Sequence, residues 1–218
     1  MKVVVVAAGD LAPGDVDELD GAGLVIAADG GATSLVAAER HVDRIVGDLD
    51  SIDGALAERL AAAGAAIERH PTDKESSDTE LAVRSARTAG ATRSVLLGAV
   101  GGDRLDHELA NLLLLADPSL AGVDLRAVHG PSVVRPLRAG ERLELLGRVG
   151  DLVTLLPIGG DASGVTTGGL RWSLDAATLP LGGSRGLSNE VTATRAWVSL
   201  ERGTLLVVET ALGGANSS

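Results

Sequence analysis

Ile45-Val46-Gly47-Asp48-Leu49-Asp50-Ser51 is the stretch around which the rest of this sequence can be arranged. A short apolar run ends in a glycine, and two carboxylates one residue apart follow before a helical pattern begins. This is how a β-strand delivers oxygen ligands to a divalent ion. The pattern also has a purely structural interpretation, in which Asp48 satisfies a turn and Ser51 or Asp53 caps the helix predicted next.

The composition limits the classes of protein to which the chain can belong. The chain has 218 residues, enough for one large domain or two small ones, and no cysteine for disulfides or thiolate metal ligands. Any metal must therefore be held by oxygen or by histidine, and oxygen favours magnesium, manganese or calcium. The net charge of −11 argues against a nucleic-acid partner. We expect a cytoplasmic protein with no membrane partner, since the sequence contains neither a signal peptide nor an apolar run approaching ~20 residues.

The first 130 residues alternate short apolar runs with helical patterns, which predicts βα units on a largely parallel sheet. The predicted strands are 3–8, 24–28, 44–46, 66–69, 94–100 and 125–128. The predicted helices are 32–40, 55–63, 79–89 and 105–116.

Acidic and glycine-rich segments follow the predicted strands. In a parallel sheet these loops share the carboxyl edge, where such folds bind ligands. Converging carboxylates would repel one another unless a cation lay among them, so we predict bound Mg²⁺ acting together with substrate phosphates. Neither the P-loop nor the dinucleotide-binding glycine pattern is present. The segments are Gly9-Asp10, Asp29-Gly30-Gly31, Asp48-Leu49-Asp50, 72–75 and 101–106.

After Gly130 the helical patterns disappear and short β-rich runs follow, predicted as strands 142–146, 152–157, 191–200 and 204–210. The fold class is therefore α/β: a largely parallel sheet flanked by helices in residues 1–130, then a small antiparallel β-sandwich or barrel in residues 131–218. The only aromatic residues are two tryptophans in this second half. Trp197 lies in an alternating run, which predicts a core position, whereas Trp172 follows a Gly-Gly turn and could stack on a flat ligand.

Taken together, these residues resemble the thiamin pyrophosphokinase family, enzymes that move a diphosphate group from ATP to thiamin. The similarity covers nearly the whole chain, and its motifs come in the family's order. Two residues depart from the usual Lys-Asp-x-Thr-Asp motif, because Glu75 and Ser77 replace Asp and Thr; Asp103 resembles an insertion in the later Gly-Gly-Arg motif. The motifs are Ala28-Asp29-Gly30-Gly31-Ala32, Gly47-Asp48-Leu49-Asp50-Ser51, 73–82, 101–107, 169–174 and Leu187-Ser188-Asn189-Glu190.

The resemblance implies a nucleotide- and Mg²⁺-binding α/β domain, a thiamin-binding β domain, and a homodimer whose active sites lie between subunits. Asp48 and Asp50 are the expected metal ligands, with Asp73 or Asp78 completing the set. Lys74 would contact phosphate oxygens as a point charge and Arg104 by a two-pronged contact.

The remaining candidates would bind the substrates. Asp29 with Gly30-Gly31 would open a backbone pocket beside a phosphate or the cationic substrate. Trp172 would stack on thiamin, and Ser188 and Asn189 would hydrogen-bond its pyrimidine. The other candidates are Ser51, Gly101, Gly102, Asp106 and His107. Structural alternatives are a cap of the fourth helix for Asp106 and a core contact for His107, and Ser77 is predicted to cap the third helix.

Three other functions fit part of the pattern. Phosphohydrolases that use an Asp nucleophile also carry Asp-x-Asp, although on their opening strand. A pyrophosphokinase could instead act on another hydroxymethyl compound such as a pterin. A nucleotide- or thiamin-binding sensor without catalytic activity is the non-enzymatic alternative.

Overall fold

The computed structural model describes residues 1–213 and contains two compact units, divided between Gly130 and Pro131. The first unit is built on six parallel strands in the order β6-β5-β1-β2-β3-β4. The strands are β1 (Lys2–Val6), β2 (Leu24–Ala28), β3 (Arg44–Gly47), β4 (Ala66–Arg69), β5 (Arg93–Leu97) and β6 (Asp124–His129).

Four α-helices connect these strands, and two short 3-10 helices, Asp15–Leu19 and Pro118–Leu120, lie in the connections. The central strands are buried on both faces. Strand β1 accordingly has four consecutive valines after Lys2, as expected for a parallel sheet that is covered on both sides. The α-helices are α1 (Gly31–Ala37), α2 (Gly54–Ala62), α3 (Asp78–Thr88) and α4 (Leu105–Leu114).

The second unit contains only strands, and they pair antiparallel in two sheets, ordered β12-β9-β14-β7 and β11-β10-β13-β8. Side chains from both sheets share one apolar core, to which Leu137, Leu155, Val165, Val198 and Leu205 belong. The strands are β7 (Ser132–Arg138), β8 (Arg142–Glu144), β9 (Leu152–Pro157), β10 (Ala162–Gly168), β11 (Ala177–Leu179), β12 (Asn189–Glu190), β13 (Trp197–Ser199) and β14 (Thr204–Thr210).

The predicted fold class is confirmed, but several predicted elements are wrong in extent. The run 191–200 is not one strand, because a bend at residues 193–195 separates Val191, which forms an isolated bridge with Leu170, from the strand Trp197–Ser199. Strand β5 ends at Leu97 instead of residue 100, since Gly98 turns the chain at φ +61°. The sequence patterns also missed β7, β10, β11 and β12.

Strand β7 was missed because one of its inward positions holds a charged residue. Arg135 is buried and is paired with the buried Glu209 of β14. Glu209 also accepts hydrogen bonds from the backbone N–H groups of Leu146 and Gly147. The pair therefore satisfies its own buried charges, but it interrupts the alternation of apolar and polar residues that indicates a strand. No helix within residues 1–213 is long and apolar enough to cross a membrane.

Candidate active site

The turn between β2 and α1 brings one carboxylate inward. Asp29 is 4 % exposed and has a positive φ of 41°, unusual for a residue other than glycine. Its Oδ2 accepts a hydrogen bond from the backbone N–H of Ser51 at 3.1 Å. Gly31 permits this arrangement, because a Cβ there would lie 2.0 Å from the carbonyl oxygen of Val6. Glycine thus lets α1 begin directly against β1.

The turn after β3 adds a second carboxylate beside a third from α3. Gly47 has φ +149°, and a Cβ on it would lie 2.8 Å from Asp78 Oδ1, so glycine makes room for that side chain. The next residues are Asp48 and then Leu49, whose φ is +66°. Asp78 is the first residue of α3, and its N-cap residue Ser77 accepts a hydrogen bond from the N–H of Glu80. The prediction that Ser77 caps this helix is confirmed. The Glu80 side chain accepts a hydrogen bond from Ser76 and pairs with Arg84.

Asp29, Asp48 and Asp78 form a carboxylate cluster in which one oxygen from each residue lies within 4.8 Å of the other two. Burial, followed by the nearby charges of Asp78 and Asp50, raises the pKa of Asp29 despite its hydrogen bonds with Ser51. Asp29 Oδ1 has no hydrogen-bond partner among the described residues. The charges and oxygen atoms of this cluster fit a hard divalent cation.

Lys74 places a positive charge beside the carboxylate cluster. Its Nζ lies 2.8 Å from Asp48 Oδ2 and 3.0 Å from Asp78 Oδ1. The hydrogen bond from Lys74 is the main reason that the pKa of Asp48 is lowered. Burial lowers the pKa of Lys74, but Asp48 and Asp78 outweigh that effect and raise it overall.

The structure brings together only part of the predicted ligand set. Asp48 and Asp78 belong to the cluster, and Asp29, predicted to bind substrate, is its third member. Asp50 is exposed and accepts a hydrogen bond from the Ser51 hydroxyl at 3.0 Å, and Asp73 is exposed in the loop before α3. The alternative that Asp53 caps α2 is confirmed, since its side chain accepts from the N–H of Leu56.

A cavity of about 240 Å³ lies at the same edge of the first unit. Glycines at 9, 98, 101 and 102 leave backbone exposed along it, and Ser51, Arg104 and His107 also line it. Asn111 also lines the cavity; it is buried and donates a hydrogen bond to the carbonyl oxygen of Ala99 at 3.0 Å. The sequence analysis did not identify Asn111 or Thr79 as lining residues: Asn111 lies within α4 outside every motif, and Thr79 lies within the motif 73–82 but was given no role of its own. His107 is exposed, so the alternative that placed it against the core is wrong.

Arg104 and Asp106 form an exposed bidentate salt bridge beside this cavity. Arg104 Nε donates to Asp106 Oδ1 at 3.0 Å, and Arg104 Nη2 donates to Oδ2 at 2.6 Å. The hydrogen bonds from Arg104 lower the pKa of Asp106 to about 2, and Asp106 raises the pKa of Arg104. The N-cap position of α4 is Arg104, with no side-chain cap. The alternative role of Asp106 as a helix cap is therefore wrong.

The second unit holds a separate pocket around Trp172, whose side chain is 57 % exposed. Arg171 lies over the indole at 5.1 Å from its centroid and pairs with Glu190 at 2.9 Å. Leu155 and Arg185 also line this pocket, and neither carries a sequence signal that could have identified it. The ring is thus presented to solvent with a cation on one side.

The loop beside Trp172 is held by Asn189, which is buried. Its Oδ1 accepts from the N–H of Trp172 at 3.1 Å and from that of Glu190 at 2.9 Å, and its Nδ2 donates to the Trp172 carbonyl at 2.7 Å. Asn189 therefore positions Trp172. Its predicted hydrogen bond to the pyrimidine of thiamin stays a prediction. Ser188 is exposed beside it, at a positive φ of 53°.

Trp197 is half-buried instead of a full core residue. Arg142 lies 3.8 Å above its ring, and a Cβ on Gly168 would lie 2.3 Å from its Nε1. The alternation around Trp197 therefore indicated a strand at the right place but of too great a length, and a flexible arginine covers the Trp197 ring in place of a second apolar layer.

The fold is that of a two-unit α/β protein with the carboxylate cluster at one edge of its parallel sheet, and solved structures share the fold. Thiamine pyrophosphokinase from Bacillus subtilis superposes with a TM-score of 0.84 at 24% identity, covering 97% of this chain and 99% of that one. Thiamin pyrophosphokinase from Geobacillus thermodenitrificans gives 0.82 at 25% identity, covering 100% and 99%.

Sequence comparison identifies the family. Residues 16–125 match the thiamin pyrophosphokinase catalytic domain, and residues 142–205 match that family's vitamin B1 binding domain. Thiamine pyrophosphokinase of Bacillus subtilis is 25% identical over 95% of this chain and 98% of its own length. Thiamine pyrophosphokinase 1 of rice (Oryza sativa subsp. japonica) is 30% identical over 68% of this chain, which spans 59% of the rice protein. The chain belongs to the thiamin pyrophosphokinase family, enzymes of ATP-dependent diphosphate transfer to thiamin, and the resemblance seen in its motifs is confirmed.

Proposed function

We propose that this chain transfers a diphosphate group from ATP to the hydroxyl of thiamin, giving thiamin diphosphate and AMP. The observation that carries the proposal is the cluster of Asp29, Asp48 and Asp78 with Lys74, at the carboxyl edge of a parallel sheet and in the domain that matches the catalytic domain of the family. This is the edge at which such sheets bind ligands. Family membership favours thiamin over a pterin acceptor, and transfer over hydrolysis.

The protein would orient the two substrates and neutralise charge on the phosphate oxygens, because transfer of a phosphoryl or diphosphoryl group requires little covalent chemistry from side chains. The thiamin hydroxyl attacks the β-phosphorus of ATP, and AMP leaves. Arg104 stands at the rim of the glycine-lined cavity, where it can contact phosphate oxygens in place of Asp106. Backbone N–H groups along Gly101 and Gly102 can approach an anion closely, because no side chain intervenes.

Mg²⁺ is the cation that we propose for the site, with Asp29, Asp48 and Asp78 holding it. Oxygen-only ligands favour it, and Mg²⁺ commonly combines a few carboxylates with substrate phosphates. When bound, it would neutralise charge on the phosphate oxygens. Asp50 and Asp73 stay predictions as additional ligands. We place the reaction in the cytoplasm, which supplies ATP and Mg²⁺.

Thiamin would bind in the second unit, within the stretch that matches the vitamin B1 binding domain. Its flat, cationic rings suit the exposed indole of Trp172, and Glu190 beside it supplies a negative charge. Ser188 is the exposed hydroxyl that could hydrogen-bond the pyrimidine.

A homodimer is the assembly that we propose. Helix α4 presents Leu105, Leu109 and Leu113 to solvent at four-residue spacing, so they lie on one face of the helix, and each side chain is more than half exposed. An apolar stripe of this kind beside the cavity is consistent with cover from a second copy.

The nucleotide product tests the proposed reaction directly. Incubation with ATP, thiamin and Mg²⁺ should give AMP and thiamin diphosphate in equal amounts, and neither should form without thiamin. ADP would indicate a simple kinase, free phosphate a hydrolase, and binding of either substrate without turnover a sensor. Any of these three results would refute the proposal.

A further inference from the structure

Lys74 is placed unusually for a residue expected to contact substrate. The chain has only two lysines, Lys2 and Lys74. The Lys74 side chain is 14 % exposed, and its ammonium donates a hydrogen bond to Asp48 at 2.8 Å and forms an ion pair with Asp78 at 3.0 Å. In this arrangement it neutralises acids and does not point freely toward a ligand.

The cluster has room for one cation at its centre. Its three ligand oxygens lie within 4.8 Å of one another, and two oxygens bound to the same Mg²⁺ at about 2.1 Å lie no more than about 4.2 Å apart. The cluster is therefore close to the dimensions of a metal's ligand shell. An ammonium held between two of the same carboxylates would repel a divalent ion placed among them.

Lys74 contacts only two of the three carboxylates, and the third, Asp29, is left without a cationic partner within residues 1–213. Asp29 is 96 % buried, and its Oδ1 has no hydrogen-bond partner among the described residues. Three carboxylates and one ammonium also leave two negative charges uncompensated, which a divalent ion would balance. The buried, unpartnered oxygen is a second observation, independent of the acids' proximity, that points to a cation in this place.

We propose that Lys74 is an internal cation that exchanges with the divalent ion. Before the metal binds, its ammonium holds Asp48 and Asp78 together. On metal binding it leaves the carboxylates and becomes free to contact the phosphate oxygens of the nucleotide. The four-carbon stem and the exposed loop residues Asp73 and Glu75 on either side allow that movement. The inference rests on the proposed metal site, and it couples substrate contact by Lys74 to occupancy of that site.

Metal binding without nucleotide tests the exchange apart from activity. Free Mn²⁺ measured by electron paramagnetic resonance gives the Kd of the full chain and of its Lys74→Met and Lys74→Gln variants. Both variants should bind Mn²⁺ at least about 10-fold more tightly than the wild type, because no ammonium has to be displaced. Lys2→Met, which removes the other lysine from its pair with Glu18, should leave the Kd unchanged. An unchanged or higher Kd in both Lys74 variants would overturn the exchange.

Nuclear magnetic resonance of the wild type provides a measurement that needs no variant. With ¹³Cε-labelled lysine only two signals are expected, and titration with Mg²⁺ should shift that of Lys74 and leave that of Lys2 in place. If Mn²⁺ binds while the Lys74 signal stays fixed at saturating Mg²⁺, the exchange is wrong and the metal site stands. If the wild type binds no divalent ion at all, the metal site and the exchange both fail.

Discussion

Three residues in the candidate sites of the two units, considered separately, adopt a backbone conformation that side chains rarely tolerate. Asp29, Leu49 and Ser188 all have positive φ, and each lies inside a motif singled out from the sequence. Strain of this kind persists only where the surrounding structure enforces it, and it concentrates at functional sites. Here it turns Asp29 inward and separates Asp48 from Asp50, so that only the first of that pair reaches the cluster.

Asp48 is the residue whose loss should affect turnover most directly. Asp48→Asn should lower kcat by a factor of about 100 or more, because it removes a charge typically worth a few kcal/mol at the transition state. The fold should survive, since asparagine keeps the shape. Steady-state kinetics at saturating Mg²⁺ measure the effect, with Glu58→Gln on the exposed side of α2 as the control. Near-normal turnover in Asp48→Asn would remove this residue from the site.

Trp172 gives a prediction that separates substrate binding from stability. Its exposure means that Trp172→Ala leaves little cavity, so Tm should hardly change. The KM for thiamin should rise about 10-fold, because stacking on a cation contributes on the order of 1–2 kcal/mol. Trp197→Ala is the matched control: it should lower Tm and leave the thiamin KM of the folded enzyme unchanged. A large fall in Tm for Trp172→Ala with an unchanged thiamin KM would contradict the assignment.

At the scale of elements, helix α3 depends on its cap to present Asp78. Ser77→Ala should lower the free energy of unfolding by about 1 kcal/mol, because the N–H of Glu80 loses its acceptor. Ser77→Thr, which restores the residue usual in the family, should keep both stability and turnover. Thermal unfolding of the two variants measures the difference, and equal Tm values would show that the cap contributes nothing.

The hydrogen bonds between Asn189 and Trp172 also act at the scale of elements, because they connect the start of β12 to the loop after β10. In a Trp197→Phe background, Trp172 is the only tryptophan, so its fluorescence reports thiamin binding alone. Asn189→Ala should raise the Kd for thiamin about 10-fold by releasing both backbone groups of Trp172. Asn189→Asp keeps the acceptor and should lose less. Leu181→Ala, an exposed residue that does not line the Trp172 pocket, is the control. A thiamin Kd unaffected by Asn189→Ala would refute the positioning role.

At the scale of the whole molecule, charge is distributed unevenly. Residues 1–130 carry 22 carboxylates and 11 basic side chains, whereas residues 131–218 carry eight of each. All of the net charge of −11 therefore belongs to the unit that would receive ATP. A polyanionic substrate entering such a unit needs compensating cations, which is a physical reason for the reaction to depend on a divalent metal.

Ion pairs within the first unit also predict how its stability depends on pH. Burial raises the pKa of Glu18, but Arg126 and Lys2 outweigh that effect and lower it below its usual value of 4.5. A carboxylate with a lowered pKa stabilises the fold above its unfolded pKa, and the contribution disappears as pH falls through the folded value. Glu18→Gln should therefore cost about 1 kcal/mol at pH 7 and nothing in strong acid.

Denaturant unfolding at a series of pH values from 7 down to 3 measures this dependence. Asp124→Asn is the matched control, because Asp124 pairs with Arg93 at 3.4 Å between side chains that are both more than half exposed, and such pairs contribute little. A stability difference for Glu18→Gln that stays constant across this range would contradict an electrostatic origin.

The sequence by itself determined the fold class, the family and the set of loops in which the site lies. Strand β1 and its neighbours are apolar on both faces and are followed by acidic turns, so their order and spacing were enough to predict a parallel sheet with its ligand edge. Ser77 was also predictable as a cap, because capping depends on residues only three positions apart.

Only the tertiary structure decided which carboxylates meet. Asp29, Asp48 and Asp78 are far apart in the chain, and they converge because parallel pairing of β2 with β3 and the glycine at position 47 bring two turns and the start of α3 together. Asp50 is two residues from Asp48 yet lies outside the cluster, because the positive φ of Leu49 redirects the chain. Lys74 between two acids, and Arg135 with Glu209 inside the β unit, were equally hidden. Local patterns record propensity and spacing, whereas partners of buried charges are set by contacts between distant segments.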